Sequence, residues 1–345
     1  MSEQPGARMR REIGEQPERW SALLAERGEQ LAGLRDRLRA RPPRLVLFVA
    51  RGTSDHAALY GNYLVQTSLG VPAASASPSV VTLYSAALDL RDVLVVAVSQ
   101  SGGSPDLVSF VDMARDRGAA TLTLTNAGDS SLARAADEVV DIAAGAETAV
   151  AATKTYTGEL LALAALFGPD DVVARLPELP DLAREVLDAA ADPVAELASA
   201  YRFVTRLITS GRGYSSASAS EAALKLMETS YVSAQGMSSA DLLHGPVAVL
   251  DESVPLLCFA SQGPDAAELA DLVALAGSRG VDVDVIGDGT VAGRRLPPLL
   301  PAGVAPELRP VLEILPAQLL AAETAVGRGI DPDAPRGLHK VTRTF

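Results

Sequence analysis

Two stretches of this 345-residue chain carry residue types that do chemistry when they are held in one place. The first is Ser99-Gln100-Ser101-Gly102-Gly103-Ser104-Pro105-Asp106, where three hydroxyls, an amide and two glycines follow an apolar run and precede a helix-like stretch. Backbone N–H groups at a helix N-terminus favour an anion, and hydroxyls add donors without adding charge, so this tip suits a phosphate cradle. The same residues also serve an ordinary N-capped helix with a tight glycine turn, and the spacing leaves both readings open. No Gly-Lys-Ser/Thr follows, so the tip is not a P-loop. The second stretch is Glu221-Ala222-Ala223-Leu224-Lys225-Leu226-Met227-Glu228. Read as a helix, it puts Glu221, Lys225 and Glu228 on one face at i, i+4 and i+7. Spacing alone is met by a solvated salt-bridge face. With His244 and the cationic tail Arg336-Gly337-Leu338-His339-Lys340 added, a carboxylate, an imidazole and an ammonium suit proton transfer beside a sugar carbonyl.

Other chemistries find less support. The three histidines, His56, His244 and His339, show no metal-ligand spacing, and the single cysteine, Cys258, lies in an apolar run where a buried structural thiol is expected. No metal site is therefore expected. Gly211-Arg212-Gly213-Tyr214-Ser215-Ser216 begins like a dinucleotide fingerprint but lacks the third glycine. Forty-three acidic against thirty basic residues leave a net charge of −13, which repels phosphate backbones and anionic lipid, so nucleic acid and membrane surfaces are not expected partners. No apolar run reaches the ~18 residues of a membrane span, and the first residues have no signal-peptide core, so a cytoplasmic protein is expected.

The elements that must position these residues follow from the apolar pattern. Leu45–Val49, Val93–Val98 and Thr121–Thr125 are short runs that stop at small polar residues and lead into helical stretches. That pattern is a parallel sheet with crossover helices, whose ligands bind beyond the carboxyl ends of the strands. The second half repeats the first: Arg51-Gly52 is matched by Arg212-Gly213, Ser99-Gln100 by Ser261-Gln262 and Gly118 by Gly280, at offsets of 161 and 162 residues. Constant offsets argue for duplication of an α/β unit. The expected domains are a helical segment 1–40 with Trp20, Leu23, Leu24, Leu31, Leu34 and Leu38 at helical spacing, a first α/β domain 41–168, a proline-marked linker 169–200, a second α/β domain 201–330 and a tail 331–345.

The motifs Ala50-Arg51-Gly52-Thr53-Ser54, Ser99-Gln100-Ser101-Gly102, Ala151-Ala152-Thr153-Lys154, Ala222-Ala223-Leu224-Lys225-Leu226, His244-Gly245-Pro246 and Pro335-Arg336-Gly337-Leu338 together resemble the sugar isomerase (SIS) family. The chain is similar to the isomerase half of glucosamine-6-phosphate synthase from about Met9 to Phe345, and the opening Glu12-Ile13-Gly14-Glu15-Gln16-Pro17 is also similar. The resemblance implies two tandem SIS domains, each a parallel-sheet three-layer α/β sandwich. It implies that Ser99, Gln100, Ser101 and Ser104 hold a sugar phosphate, and that Thr53, Ser54 and the backbone near Val150 line the sugar. It further implies that Glu228 moves a proton between C1 and C2 with Lys225 beside it, that His244 is lent by a neighbouring subunit for ring opening, and that Lys340 closes over the substrate. A homodimer with a shared site follows.

Arg51 and Gly103 stand where the synthase has a cysteine and an acidic residue, and Gln235 and Asp241 stand where glutamates are expected. Arg51, Ser104-Pro105-Asp106 and the tail Lys340-Val341-Thr342-Arg343-Thr344 look more like the stand-alone amino-sugar-phosphate deaminases. The short segment before the first strand holds no catalytic cysteine to draw ammonia from glutamine, so ammonia release is the expected direction. The leading expectation is deamination of glucosamine 6-phosphate to fructose 6-phosphate, with no cofactor, because the substrate's own carbonyl is the electron sink. The alternatives are a dehydratase acting on N-acetylglucosamine 6-phosphate by C2 proton abstraction and loss of the C3 hydroxyl, and a non-catalytic sugar-phosphate sensor.

Overall fold

A computed structural model describes residues 4–291, 296–297 and 299–340; the tail positions Val341, Thr342, Arg343 and Thr344 lie outside the described residues. The strands are β1 (Leu45–Val49), β2 (Ala73–Ser75), β3 (Val93–Ser99), β4 (Ala120–Thr125), β5 (Glu138–Asp141), β6 (Arg206–Gly211), β7 (Ser233–Ser238), β8 (Leu256–Phe259) and β9 (Val283–Ile286). The helices are α1 (Ala7–Gly14), α2 (Gln16–Ala40), α3 (Thr53–Leu64), α4 (Ser79–Thr82), α5 (Pro105–Asp116), α6 (Ser131–Ala135), α7 (Lys154–Phe167), α8 (Asp170–Val173), α9 (Leu179–Tyr201), α10 (Ser215–Ser230), α11 (Ser239–Leu243), α12 (Ala266–Ser278) and α13 (Arg309–Gly327). They form two units that are not consecutive halves of the chain.

The five-stranded unit takes residues 18–147, 154–177 and the described tail residues 339–340. Its sheet runs β2-β1-β3-β4-β5, all parallel. All seven residues of β3 are buried, as a strand covered on both faces requires. Val93, Val95 and Ala97 pack with Leu107, Phe110 and Val111 of α5. Alternation turns Leu94, Val96 and Val98 to the other face. In the same unit Phe48 of β1 meets Phe167 of α7 edge-on at 6.2 Å. The apolar stripe read in 1–40 is real in α2: Trp20, Leu23, Leu31 and Leu34 are buried, and the Trp20 indole N–H donates to Thr157 Oγ1 at 3.0 Å.

The four-stranded unit takes the described residues of 1–17, 148–153 and 178–338. Its sheet, β7-β6-β8-β9, is again all parallel and repeats the order β2-β1-β3-β4 strand for strand. The repeat seen at offsets of 161 and 162 residues is therefore a repeat of topology. Residues 4–14 join this unit because Asp331 and Asp333 accept the backbone N–H groups of Gly6, Arg8 and Met9 at 2.8–3.0 Å, satisfying donors at the start of α1. Residues 169–200, marked by prolines, are largely helical: Pro180 sits in the first turn of α9, where its missing N–H costs nothing, and Pro193 lies inside the helix. Cys258 is buried in β8; burial, with a contribution from Asp284, pushes its thiol up to about 12.

Helix α13 packs on α9 and α10 and carries Glu313, 1% exposed, with neither carboxyl oxygen in hydrogen-bond geometry to a partner among the described residues. Burial pushes this carboxyl up to about 7, against weaker opposite pulls from Ser218, Ser215 and Arg309. Between pH 4.5 and 7 the unfolded chain ionises Glu313 while the folded chain keeps it neutral, so stability falls as pH rises through that window. Glu313→Gln is expected to raise the unfolding free energy at pH 8 by up to about 3 kcal/mol and to change it little near pH 4, read by urea titration at both pH values.

Candidate functional site

The polar residues singled out in the five-stranded unit collect at the carboxyl ends of β1 and β3, which are neighbours in the sheet. Beyond β3, the Ser99 hydroxyl oxygen accepts the Gly102 N–H at 3.2 Å and that of Ser101 accepts the Gly103 N–H at 3.3 Å. Gly102 has φ +57°, and a Cβ there would fall 2.0 Å from Ser130 Oγ, so the turn admits only glycine. Ser104 is the N-cap residue of α5 with Pro105 after it, yet its hydroxyl makes no capping hydrogen bond. The N-capping reading of this tip thus leaves the Ser104 hydroxyl unexplained. Asn126 N–H donates to the Gln100 carbonyl at 3.1 Å, tying the tip to the end of β4.

Beyond β1, Thr53 and Ser54 begin α3. Ser54 is buried and its hydroxyl donates to Glu159 of α7 at 2.8 Å. Arg51 reaches the buried Asp106 with Nε at 2.9 Å and with a terminal nitrogen at 2.8 Å, and so clamps the start of α5. The four-stranded unit has the matching pair Arg212 and Glu268, 3.2 Å apart, at the same offsets.

Lys340 is held in the five-stranded unit by a residue that the sequence reading missed. Its Nζ lies 2.7 Å from Glu147 Oε2. Glu147 also accepts the backbone N–H and hydroxyl of Thr155 at 3.1 and 2.8 Å, joining the start of α7 to the tail. Nothing in the periodicity marks Glu147, because it stands in a loop.

In the four-stranded unit α10 brings Glu221, Lys225 and Glu228 together. The face is not a solvated one: Glu221 and Lys225 are fully buried, while the Glu228 side chain is 25% exposed. Lys225 Nζ lies 2.6 Å from Glu228 and 3.3 Å from Glu221. Burial works to strip its proton, but the two carboxylates outweigh burial and hold the ammonium above its ordinary value. The loop with Val150 is anchored by a second missed residue, Glu12, whose carboxylate accepts the N–H groups of Thr148 at 2.5 Å and Ala149 at 3.2 Å. His244 ends α11 and is exposed, and among the described residues no hydrogen bond or ion pair joins it to Glu228. Gln235 lies on β7, and Asp241 in α11 accepts the Ser238 hydroxyl at 2.7 Å. Among the described residues no group of three or more His, Cys, Asp and Glu is placed to hold a metal ion, and no helix is long and apolar enough to cross a membrane.

A family model described as the SIS domain matches residues 41–168 and 202–290. The chain is 35% identical over 355 aligned residues to a glutamine–fructose-6-phosphate aminotransferase (isomerizing) of Gloeobacter violaceus, covering 96% of this chain and 58% of that protein. It spans about half the length of the curated relatives it matches. A crystal structure of a candidate phosphosugar isomerase from Silicibacter pomeroyi DSS-3 matches with a TM-score of 0.86 at 37% identity, covering 94% of this chain and 99% of that one. The C-terminal domain of glucosamine-fructose-6-phosphate aminotransferase from Francisella tularensis matches with a TM-score of 0.83 at 25% identity, covering 94% and 97%.

The buried ammonium of Lys225 compensates two carboxylates at once. Lys225→Met leaves Glu221 buried without its counter-charge and is expected to cost about 3–5 kcal/mol of stability, read by chemical denaturation. Glu147→Gln removes the charge that holds Lys340. It is expected to speed backbone hydrogen exchange in residues 335–340 several-fold and to leave exchange in β3 and β4 unchanged.

Proposed function

The chain belongs to the SIS domain family, and on that premise we propose that it is an amino-sugar phosphate deaminase of the isomerising kind, taking glucosamine 6-phosphate to fructose 6-phosphate and ammonia. The observation that carries this reading is Glu228: a carboxylate one quarter exposed, fixed at 2.6 Å against a fully buried ammonium. A proton shuttle needs one accessible face and a fixed orientation, and this side chain has both. In the proposed reaction the tip Ser99, Gln100, Ser101 and Ser104 binds the phosphate, and Thr53, Ser54 and the backbone at Val150 line the sugar. His244, exposed beyond α11, assists ring opening, and we take it to act on the substrate of a second copy in a homodimer. Glu228 takes the C2 proton of the open-chain aldehyde and returns it at C1, while the carbonyl oxygen gains a proton and the 2-amine becomes a ketimine. Water adds to C2 and ammonia leaves. Lys225 orients Glu228, and Lys340, held by Glu147, supplies positive charge toward the substrate.

Purified protein given millimolar glucosamine 6-phosphate is expected to release ammonia and fructose 6-phosphate in equal amounts. Glu228→Gln is expected to lower kcat by on the order of 10²-fold with the fold intact. Phosphosugar binding without turnover of any amino-sugar phosphate would instead favour the sensor. Loss of one water from N-acetylglucosamine 6-phosphate, seen by mass spectrometry, would favour the dehydratase. Mixing Glu228→Gln with His244→Ala chains should restore part of the activity through hybrid sites; no restoration under proven subunit exchange counts against a shared site.

A further inference from the structure

The opening segment of the chain buries a face that packing alone does not account for. Met9, Glu12, Ile13 and Gln16 stand at i, i+3, i+4 and i+7, the spacing of one helix face, and all four are buried. A face that only filled the core would be apolar throughout, because a buried acid or amide is tolerated only where hydrogen-bond partners meet it. Here Glu12 and Gln16 are polar, and both lead to the same loop, residues 148–153. Glu12 reaches it directly: its carboxylate accepts the Thr148 N–H at 2.5 Å, the Thr148 hydroxyl at 2.9 Å and the Ala149 N–H at 3.2 Å. Gln16 reaches the other end of the loop through a relay. Its amide nitrogen donates to the Gln318 side-chain oxygen of α13 at 2.8 Å, and the Gln318 nitrogen donates to the Thr153 carbonyl at 3.2 Å. The second amide proton of Gln16 goes to the Ile13 carbonyl at 3.0 Å. Both terminal acceptors are backbone carbonyls, which cannot donate, so the orientation of the two amides is fixed by chemistry. Gln16 and Gln318 are fully buried.

Between these two clamps, Val150, Ala151 and Ala152 make no backbone–backbone hydrogen bond among the described residues. No helix or sheet ladder holds them, so the place of their backbone is set by the held ends of the loop. The clamp itself has a fixed root, since Asp331 and Asp333 pin the start of α1 through Gly6, Arg8 and Met9. We infer that Gln318, through its amide relay with Gln16 and together with Glu12, positions the loop that presents Val150 to the sugar. The inference rests on the proposed function in one respect, that the backbone at Val150 lines the substrate. Gln318 is a positioning residue: it acts on the loop by holding the Thr153 carbonyl. An apolar side chain in its place leaves that carbonyl and the Gln16 amide without each other's bridge, and a carboxylate would set oxygen against oxygen.

Backbone hydrogen exchange of the full chain, read by mass spectrometry of its peptides, tests the clamp without a substrate. Gln318→Met keeps the length of the side chain but neither accepts from Gln16 nor donates to Thr153. Exchange in residues 148–153 is expected to speed by on the order of 10-fold, while β6 and β8 of the same unit keep their rates. Gln16→Met combined with Gln318→Met leaves no unpaired amide, and this double variant should give the same pattern if the single one fails to fold. Steady-state kinetics with glucosamine 6-phosphate tests the consequence: KM should rise on the order of 10-fold with kcat within about 3-fold. A merely structural relay would instead lower the active fraction, so that apparent kcat falls at unchanged KM and exchange in β6 and β8 speeds along with the loop. That pattern, or unchanged exchange in residues 148–153, overturns the inference and leaves the proposed function standing. Absence of turnover by the unaltered protein overturns the proposed function, and the exchange pattern by itself then decides whether the glutamines hold the loop.

Discussion

A parallel sheet covered on both faces leaves its side chains no aqueous surface except at the ends of the strands. In β3 this is complete: seven consecutive residues are buried, and the first polar groups with access to solvent come at Gln100 and Ser101. Polar chemistry is thereby collected where one strand stops and the next helix starts, and where helix N-termini present their N–H groups. The chain builds this arrangement twice, with strand order β2-β1-β3-β4 and β7-β6-β8-β9, and with an arginine–carboxylate pair at the matching place in each unit.

Several buried carboxylates hold these ends in place, and each does so with donors from a different part of the chain. Glu12 gathers the N–H groups of the Val150 loop, Glu147 ties the start of α7 to Lys340, Glu159 accepts the Ser54 hydroxyl, and Glu221 shares Lys225 with the partly exposed Glu228. A buried charge is tolerated only where donors or a counter-charge meet it. These acids therefore lock geometry more than they add stability. At Glu313 burial outweighs the weaker pulls of Ser218, Ser215 and Arg309, and the carboxyl is driven toward its neutral form.

Much of this was legible in the residues. Runs such as Leu45–Val49 and Val93–Val98, each closed by small polar residues, identify buried parallel strands because only a strand covered on both faces is apolar at every position. The recurrence of Arg-Gly and Ser-Gln pairs at a fixed offset identifies the duplication, and the three serines after β3 mark a polar strand end. Glu221, Lys225 and Glu228 were legible as one helix face, because a helix places i, i+4 and i+7 together whatever surrounds it.

What surrounds a residue was decided by the fold. The same spacing fits an exposed salt-bridge face and a buried triad, and only packing in the four-stranded unit removed Glu221 and Lys225 from water. The partition of the chain was decided likewise: residues 4–14 and 148–153 belong with the four-stranded unit because their backbone donors find Asp331, Asp333 and Glu12, pairings across more than a hundred residues of sequence. Glu147 and Glu159 carry no periodic signature, since a carboxylate acquires its role from whichever donors the fold brings within about 3 Å. Local sequence determined where polar ends occur, because periodicity is a property of neighbours along the chain. Tertiary structure decided which of those ends are dry, charged or oriented, because burial and hydrogen-bond partners come from residues far away in the sequence.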